Sequence, residues 1–342
     1  MTRRNRCEFQ GAIYLVTLTG HSGRHVLYDP QIFKQFPENP RSHAPDAGHF
    51  ESLLWHTSEQ YDGRVHAYLI EPNAAQIIIQ THGAPLCWIM HDLLARYSTY
   101  LAGQGRMPTG ERPFPGRYKA QIVQPAKLPY AVRCVHRGKS AADTRRRSIN
   151  HPFSSNMMYC GRKPLPDCFA VMETREALEL LGHVGPGAYF EFMGRSDSPA
   201  IAHMLSRHVI GEEAFVRSVR EQSQIARSVL RPDDLLREVT VGLLDTDPRV
   251  ASSSTHRGAL ARALVAWYAM RTGVAQIGTV SRWFGVTSSD LRYLIRRHRQ
   301  LNPQHFSKPL SDLFPALFLS DATAQVAQSR DDEVPRATVI KA

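Results

Sequence analysis

The chain has 342 residues, 42% of them hydrophobic, and a formal charge of +11 at pH 7; that length accommodates two or three domains, each with its own core. No apolar run approaches the ~18 residues of a membrane span, and the basic start from Met1 to Arg6 leads into no long apolar stretch, so neither a spanning segment nor a secretory leader is expected. The five cysteines, Cys7, Cys87, Cys134, Cys160 and Cys168, are odd in number and form no C-x-x-C pair, which argues against a disulfide framework or zinc site and fits a reducing cytoplasm.

In chain order, residues 10–20 are rich in β-branched and aromatic side chains with Gly near each end, and predict a strand. Pro30, Pro37, Pro40 and Pro45 predict that any helix within 28–60 is short or interrupted. Residues 64–71 and 74–81 predict two further strands joined by a turn or bulge at Pro72-Asn73. From Leu86 to Leu101, the spacing of Ile89, Leu93, Leu94, Tyr97, Tyr100 and Leu101 is helical. Residues 103–116 read as a Gly/Pro-rich loop and 118–123 as a fourth strand. Pro129 suits the first turn of a helix reaching about His136. The order β, β, β, α, β, α predicts an α+β domain with an antiparallel sheet. Residues 137–155 read as a polar loop, 161–250 as a mostly helical connecting region with helices near 173–181 and 214–230, and 245–255 as a linker. Residues 256–300 are strongly helical, and the tail 321–342 lacks periodicity and is expected to be disordered.

Charge is unevenly distributed. Residues 102–150 hold eleven Lys/Arg against two acids, and residues 255–310 hold nine against one, Asp290, while the remainder is net acidic by six. Two basic blocks in an otherwise mildly acidic chain point to polyanion-binding surfaces.

Several phrases across roughly residues 8–195 together resemble the REP-associated single-tyrosine transposases. They are Gly11-Ala12-Ile13-Tyr14-Leu15-Val16-Thr17, His66-Ala67-Tyr68-Leu69-Ile70-Glu71-Pro72-Asn73, the helix containing Tyr97 and Tyr100, Phe114-Pro115-Gly116-Arg117-Tyr118-Lys119-Ala120, and Phe153-Ser154-Ser155 through Tyr159 and Gly161. The resemblance implies a ferredoxin-like fold, usually dimeric, of the His-hydrophobic-His endonuclease type, acting on single-stranded DNA. In that chemistry two histidines hold a divalent ion such as magnesium or manganese, and a tyrosine attacks the scissile phosphate. Two imidazoles at alternate strand positions share a face and so can share one metal ion.

The chain departs from that pattern where the chemistry is concentrated. After Pro72-Asn73, the positions of the family's histidines hold Ala74 and Gln76, a methyl group and a neutral amide. At the family's tyrosine the helix reads Arg133-Cys134-Val135-His136, with Cys134 in the nucleophile's place. Cys134 reads either as a small, partly buried residue or as a thiol nucleophile if something activates it. Tyr130, four residues earlier, shares a helical face with it and is either a packing residue or a relocated nucleophile. His66, His82, His91 and His136 are ordinary histidines unless the fold gathers them into a displaced metal site. Arg117 and Lys119 are candidates for strand binding beside the former active site, or simply part of a solvated strand face.

Residues 257–300 carry a second pattern. Leu260, Leu264, Trp267 and Tyr268 mark the inner side of one helix; Ile277, Val280, Trp283 and Phe284 are the apolar positions of a second; Gly285 supplies a tight turn with Val286 beneath it; Thr287 or Ser288 caps a third helix with Leu291, Leu294 and Ile295 inward. The spacing fits a helix-turn-helix and resembles the helical DNA-binding module of the DnaA C-terminus; the alternative is a three-helix packing module with a charged outer face. On the helix-turn-helix reading, Thr287, Ser288, Ser289 and Arg292 approach base edges, and Arg296, Arg297 and Arg299 meet phosphate. The expected fold is therefore α+β, a ferredoxin-like antiparallel sheet with helices, followed by an all-α helix-turn-helix domain. The expected protein binds single-stranded or hairpin DNA, with duplex a further candidate for the C-terminal domain, acts in the cytoplasm at the nucleoid, needs no cofactor, and is a candidate homodimer. The alternatives are an active transposase using Tyr130 with magnesium or manganese, and an RNA-binding protein that reuses the sheet.

Overall fold

The computed structural model describes residues 11–21, 24–36, 38–82, 84–108, 110–116, 118–138, 151–161, 172–182, 186–228, 232–271, 274–308 and 313. The chain divides into two units, residues 1–219 and 220–342. The fold class is α+β, and among the described residues no helix is long and apolar enough to cross a membrane.

The first unit is built on a sheet. Strands β1 (Ile13–Thr19), β2 (Gly63–Glu71), β3 (Ala74–Thr81) and β4 (Lys119–Val123) lie in the order β2-β3-β1-β4, each antiparallel to its neighbours. A two-residue strand that the sequence reading missed, β5 (Val209–Ile210), adds parallel to β4, so the sheet is mixed rather than wholly antiparallel. Its brevity explains the miss, since two residues carry no alternation to detect.

Helices α1 (Pro45–Gln60) and α2 (Leu86–Gly103) follow β1 and β3. The expectation of a short or broken helix within 28–60 is corrected: α1 runs for 16 residues. Pro30, Pro37 and Pro40 all precede it, and Pro45 occupies its first turn, where a missing N–H is not needed. On α2, Ile89, Leu93, Tyr97 and Leu101 are buried, as their spacing predicts. α1 and α2 cover one face of the sheet: Trp55 meets Tyr68 edge-on at 5.3 Å, the Tyr68 hydroxyl donates to Glu51 at 2.6 Å, and Phe50 meets Tyr97 edge-on at 5.0 Å.

The other face packs against α3 (Leu128–Arg137), whose Leu128, Ala131, Val132 and Val135 join Ile13, Leu15, Ala67, Leu69, Ile78 and Val123 in one core. Tyr159, Cys160, Ala177, Tyr189 and Ile210 complete it, so the chain beyond residue 161 extends this core. Tyr189 belongs to α4 (Pro186–Gly194). Fifteen buried residues in one cluster suffice to fix α3 against the sheet.

The Pro72-Asn73 turn has a local role. Gly20 N–H donates to the Asn73 carbonyl at 2.9 Å, Asn73 Nδ2 donates to the His21 carbonyl at 2.6 Å, and Leu27 N–H donates to the Pro72 carbonyl at 3.1 Å. A Cβ on Gly20 would stand 2.0 Å from Asn73 Oδ1, so only glycine lets the exit of β1 close on this turn.

Helix α5 (Glu213–Ser228) crosses the boundary between the units. In the second unit, α6 (His256–Arg271) is buried along nearly its whole length, from Leu260 to Arg271, as befits a central helix. Residues 232–252 pack on it rather than forming a linker. Leu235, Val239, Leu243 and Ala251 are buried, Arg257 donates to the Leu244 carbonyl at 2.6 Å, and Arg262 donates to the Ala251 and Ser253 carbonyls at 2.7 Å. α7 (Ile277–Trp283) and α8 (Ser288–Leu301) follow, with a turn at Gly285 in the left-handed region at φ 64°. The expected tail, 321–342, lies outside the described residues.

Candidate nucleic-acid interface

On the α3 face of the sheet, registry places Leu69, Gln76, Thr17 and Lys119 in one cross-strand row, with Glu71, Ala74 and Thr19 in the next. Alternation along β3 turns Ala74 and Gln76 to the same face as Ile78, towards α3. Gln76 and Lys119 are two strand spacings apart, about 10 Å, with Thr17 between them. Lys119 and Thr19 are exposed, while Ala74 and Gln76 are buried. The polar end of this face thus carries one cation, one carboxylate, two hydroxyls and an amide. Arg117 and the loop basics of 139–150 lie outside the described residues.

The candidate nucleophiles are not directed into that row. Tyr130 packs edge-on against Phe192 of α4 at 5.6 Å. Arg133 lies over both rings, donates to the Phe192 carbonyl at 3.1 Å and pairs with Asp197; Arg137 pairs with Asp197 at 3.1 Å. This is the side of α3 away from Leu128, Val132 and Val135, which face the sheet. Burial pushes the Cys134 thiol up, and the Asp197 carboxylate pushes it further, which leaves it protonated at neutral pH rather than activated.

The four histidines are dispersed. His66 on β2 is buried, with Nδ1 at 3.1 Å from the Glu173 carbonyl and Nε2 at 3.1 Å from Gln80 Oε1. His82 follows β3, His91 lies exposed on α2, and His136 is sealed beneath α4. Among the described residues no group of three or more His, Cys, Asp or Glu side chains is placed to hold a metal ion. At Ala74 and Gln76, where the resemblance would place histidines, a methyl group and an amide do not fit a divalent ion.

His136 contributes to the core instead. Tyr189 Oη donates to Asn156 Oδ1 at 2.6 Å, which leaves its lone pair for His136 Nδ1–H; Ser155 Oγ then donates to Nε2 at 2.7 Å. This arrangement holds the neutral ring, and burial pushes the His136 pKa down to about 3. The unfolded imidazole titrates near 6.5, so between those values the unfolded chain binds one proton more than the folded one. Stability is then unaffected above pH 6.5 and falls on acidification through the window, by up to about 1.4 kcal/mol per pH unit from this group. Urea unfolding of the first unit at pH 7 and pH 5 should show this loss, and His136→Gln should flatten the pH slope relative to the wild type. An unchanged slope in the variant would assign the acid sensitivity to other groups, of which half-buried His151, pushed down to about 4 by desolvation and the Arg41 charge, is the nearest in kind.

The first basic block is largely neutralised where it is described. Arg106 pairs with Asp46 at 3.0 Å, Lys127 with Glu212 at 2.7 Å, and Arg133 and Arg137 share Asp197, which leaves Arg112 and Lys119 exposed.

The second block is different. Arg257, Arg262 and Arg271 donate to backbone carbonyls. Asp290, the one acid of 255–310, closes a capping box: Thr287 Oγ1 accepts from Asp290 N–H at 3.0 Å, and Asp290 Oδ2 accepts from Thr287 N–H at 3.4 Å and from the Thr287 hydroxyl at 2.7 Å. Ser288 Oγ lies 3.1 Å from Ser281 Oγ, joining α8 to α7. Thr287 and Ser288 therefore use their hydroxyls internally, while Ser289 remains exposed. Leu291 and Ile295 are buried with His298, and Leu294 is half-buried. Arg292 is half-buried, and Arg296 and Arg297 are exposed. Arg299 stacks over Trp267 at 4.7 Å, so part of its reach is taken up by the core. Trp283, one of the apolar positions of α7, is 39% exposed at its end, and α7 buries Val280 and Ser281. The sequence reading passed over Tyr293, which is 58% exposed on α8; its spacing of four from Ser289 and three from Arg296 was the available signal.

No protein-family model, curated protein or solved structure matches the chain.

Proposed function

We propose that this chain is a DNA-binding protein derived from a single-tyrosine transposase, one that holds single-stranded or hairpin DNA at the nucleoid without cutting it. The observation that carries DNA binding is the outer side of α8. There Arg292, Arg296 and Arg297 reach the surface of a capped helix in a segment whose one carboxylate is engaged in the cap. The descent is supported by the strand order β2-β3-β1-β4 with helices after β1 and β3, the order of a ferredoxin-like sheet, and by a following helix, α3, laid on the face that carries Ala74 and Gln76. α7, the Gly285 turn and α8 supply the helix-turn-helix. The loss of cutting rests on coordination chemistry: a methyl and an amide replace two imidazoles, the thiol at the nucleophile position is protonated, and Tyr130 is engaged with Phe192 and Arg133.

A nicking assay tests this directly. Incubated with single-stranded hairpin DNA and magnesium or manganese, the protein should retain the DNA and form no covalent adduct. A metal-dependent covalent adduct that disappears in Tyr130→Phe would overturn the proposal and establish a relocated nucleophile.

A further inference from the structure

We infer that Tyr293 is the residue through which α8 discriminates between DNA sequences, and that its ligand is the major groove of duplex DNA, the stem of a hairpin included. The inference rests on the DNA-binding reading above and narrows it.

Helix periodicity places Leu291, Ile295 and His298 on the buried side of α8. Directly opposite lie Ser289, Tyr293, Arg296 and Gln300, all exposed. Tyr293 stands in the middle of this outer line and is the only aromatic side chain on it. At 58% exposure it presents both ring and hydroxyl to solvent, and no described residue hydrogen-bonds it or stacks on it. An aromatic residue left open in the middle of a helix that buries Leu291 and Ile295, its other exposed apolar side chain, Leu301, standing at the helix end, calls for a ligand with both a flat or methylated surface and hydrogen-bonding edges. The charge around it says what that ligand is. Arg292 lies on one flank of the line and Arg297 on the other, with Arg296 on the line itself, one turn further on. A cationic flank on each side of a polar-aromatic line suits a helix lying between two phosphate ridges.

The dimensions agree. α8 has 14 residues, about 21 Å at the helical rise, and the major groove, about 12 Å wide, admits one α-helix. A single strand would instead be tracked by successive aromatic platforms along one basic groove. The capping box adds a further constraint. The Asp290 carboxylate sits over the first turn and opposes a phosphate there, and Thr287 and Ser288 are engaged internally. Base contact is therefore shifted from the first turn to the second and third, where Tyr293 and Arg296 lie. The phenolic hydroxyl can donate to or accept from a base edge, and the ring can lie against a thymine methyl.

The full-length protein is used to select duplexes from a randomised pool. Wild type and Tyr293→Ala are then compared on the selected duplex, on a mixed-sequence duplex and on single-stranded DNA of the same length, each across a salt series. The variant should lose about tenfold in affinity for the selected duplex, as expected for one base contact. It should keep its affinity for the mixed duplex and the same salt slope. Tyr293→Phe separates hydroxyl from ring: retention of the preference assigns it to the ring, loss assigns it to the hydroxyl, and either supports the inference provided Tyr293→Ala loses it. Equal loss on both duplexes, or no loss on either, overturns the inference. Binding to single-stranded DNA without binding to any duplex overturns it too, yet leaves the proposed function standing; failure to bind any DNA overturns both.

Discussion

Trp267→Ala should destabilise the second unit by about 3–5 kcal/mol, the usual range for deleting a buried tryptophan. Trp267 is fully buried at the middle of α6. Its Nε1–H donates to the Phe306 carbonyl at 3.1 Å, and its ring meets Phe306 edge-on at 5.8 Å. Removing the indole leaves a cavity between α6 and the segment around Phe306 and strips the platform from beneath Arg299. The effect should be confined to one unit, because the sheet's core is built from residues 13–210. Hydrogen exchange read residue by residue makes that separation visible. Amides of α6 and α8 that exchange through unfolding of the unit should speed up by roughly 10²–10³-fold or more, while those of β1 and β3 should be unchanged. Equal acceleration in the sheet would mean that the two units unfold together; no acceleration in α8 would mean that Trp267 is not central to this core.

Much of this architecture is legible in the sequence because it depends on local period. β1 to β4, α2, α3, α6 and α8 follow from alternation or from 3.6-residue spacing, and Pro129 and Gly285 mark boundaries through backbone geometry alone. What was not legible depends on partners distant in the chain. Pro45 reads as a helix breaker until its place at the start of α1 is known. Residues 245–255 read as a linker because their apolar content is low, yet Arg262 of α6 holds the Ala251 and Ser253 carbonyls. The basic surplus of 102–150 could be counted, but its neutralisation could not be foreseen: Asp46, Asp197 and Glu212 lie far away in sequence. For the candidate site, the absence of imidazoles at Ala74 and Gln76 is pure sequence, and the strand registry only adds that Lys119 shares the row of Gln76. The roles of His136 and Tyr130 needed the fold, since nothing near them in the chain announces Tyr189 or Phe192.

That contrast between the two basic blocks leads to the test with the largest expected effect on binding. Arg296→Gln with Arg297→Gln should weaken DNA binding across all sequences and lower the slope of log affinity against log salt by about two, close to one for each phosphate contact removed. Both side chains are exposed on α8, beyond the buried line of Leu291, Ile295 and His298, so the substitutions should leave the fold intact; glutamine retains helix propensity and hydrogen-bonding capacity while removing charge. The matched control is Lys127→Gln, which removes a cation of the first block that is already paired with Glu212 at 2.7 Å. Charge reduction there should barely alter the slope, because a phosphate would have to displace an existing carboxylate partner. If the two sets of substitutions lowered the slope equally, binding would follow net charge rather than the surface of α8. If the double substitution left the slope unchanged while binding persisted, phosphate contact would have to be sought on the first unit, where Lys119 is the exposed cation nearest Gln76 on the sheet.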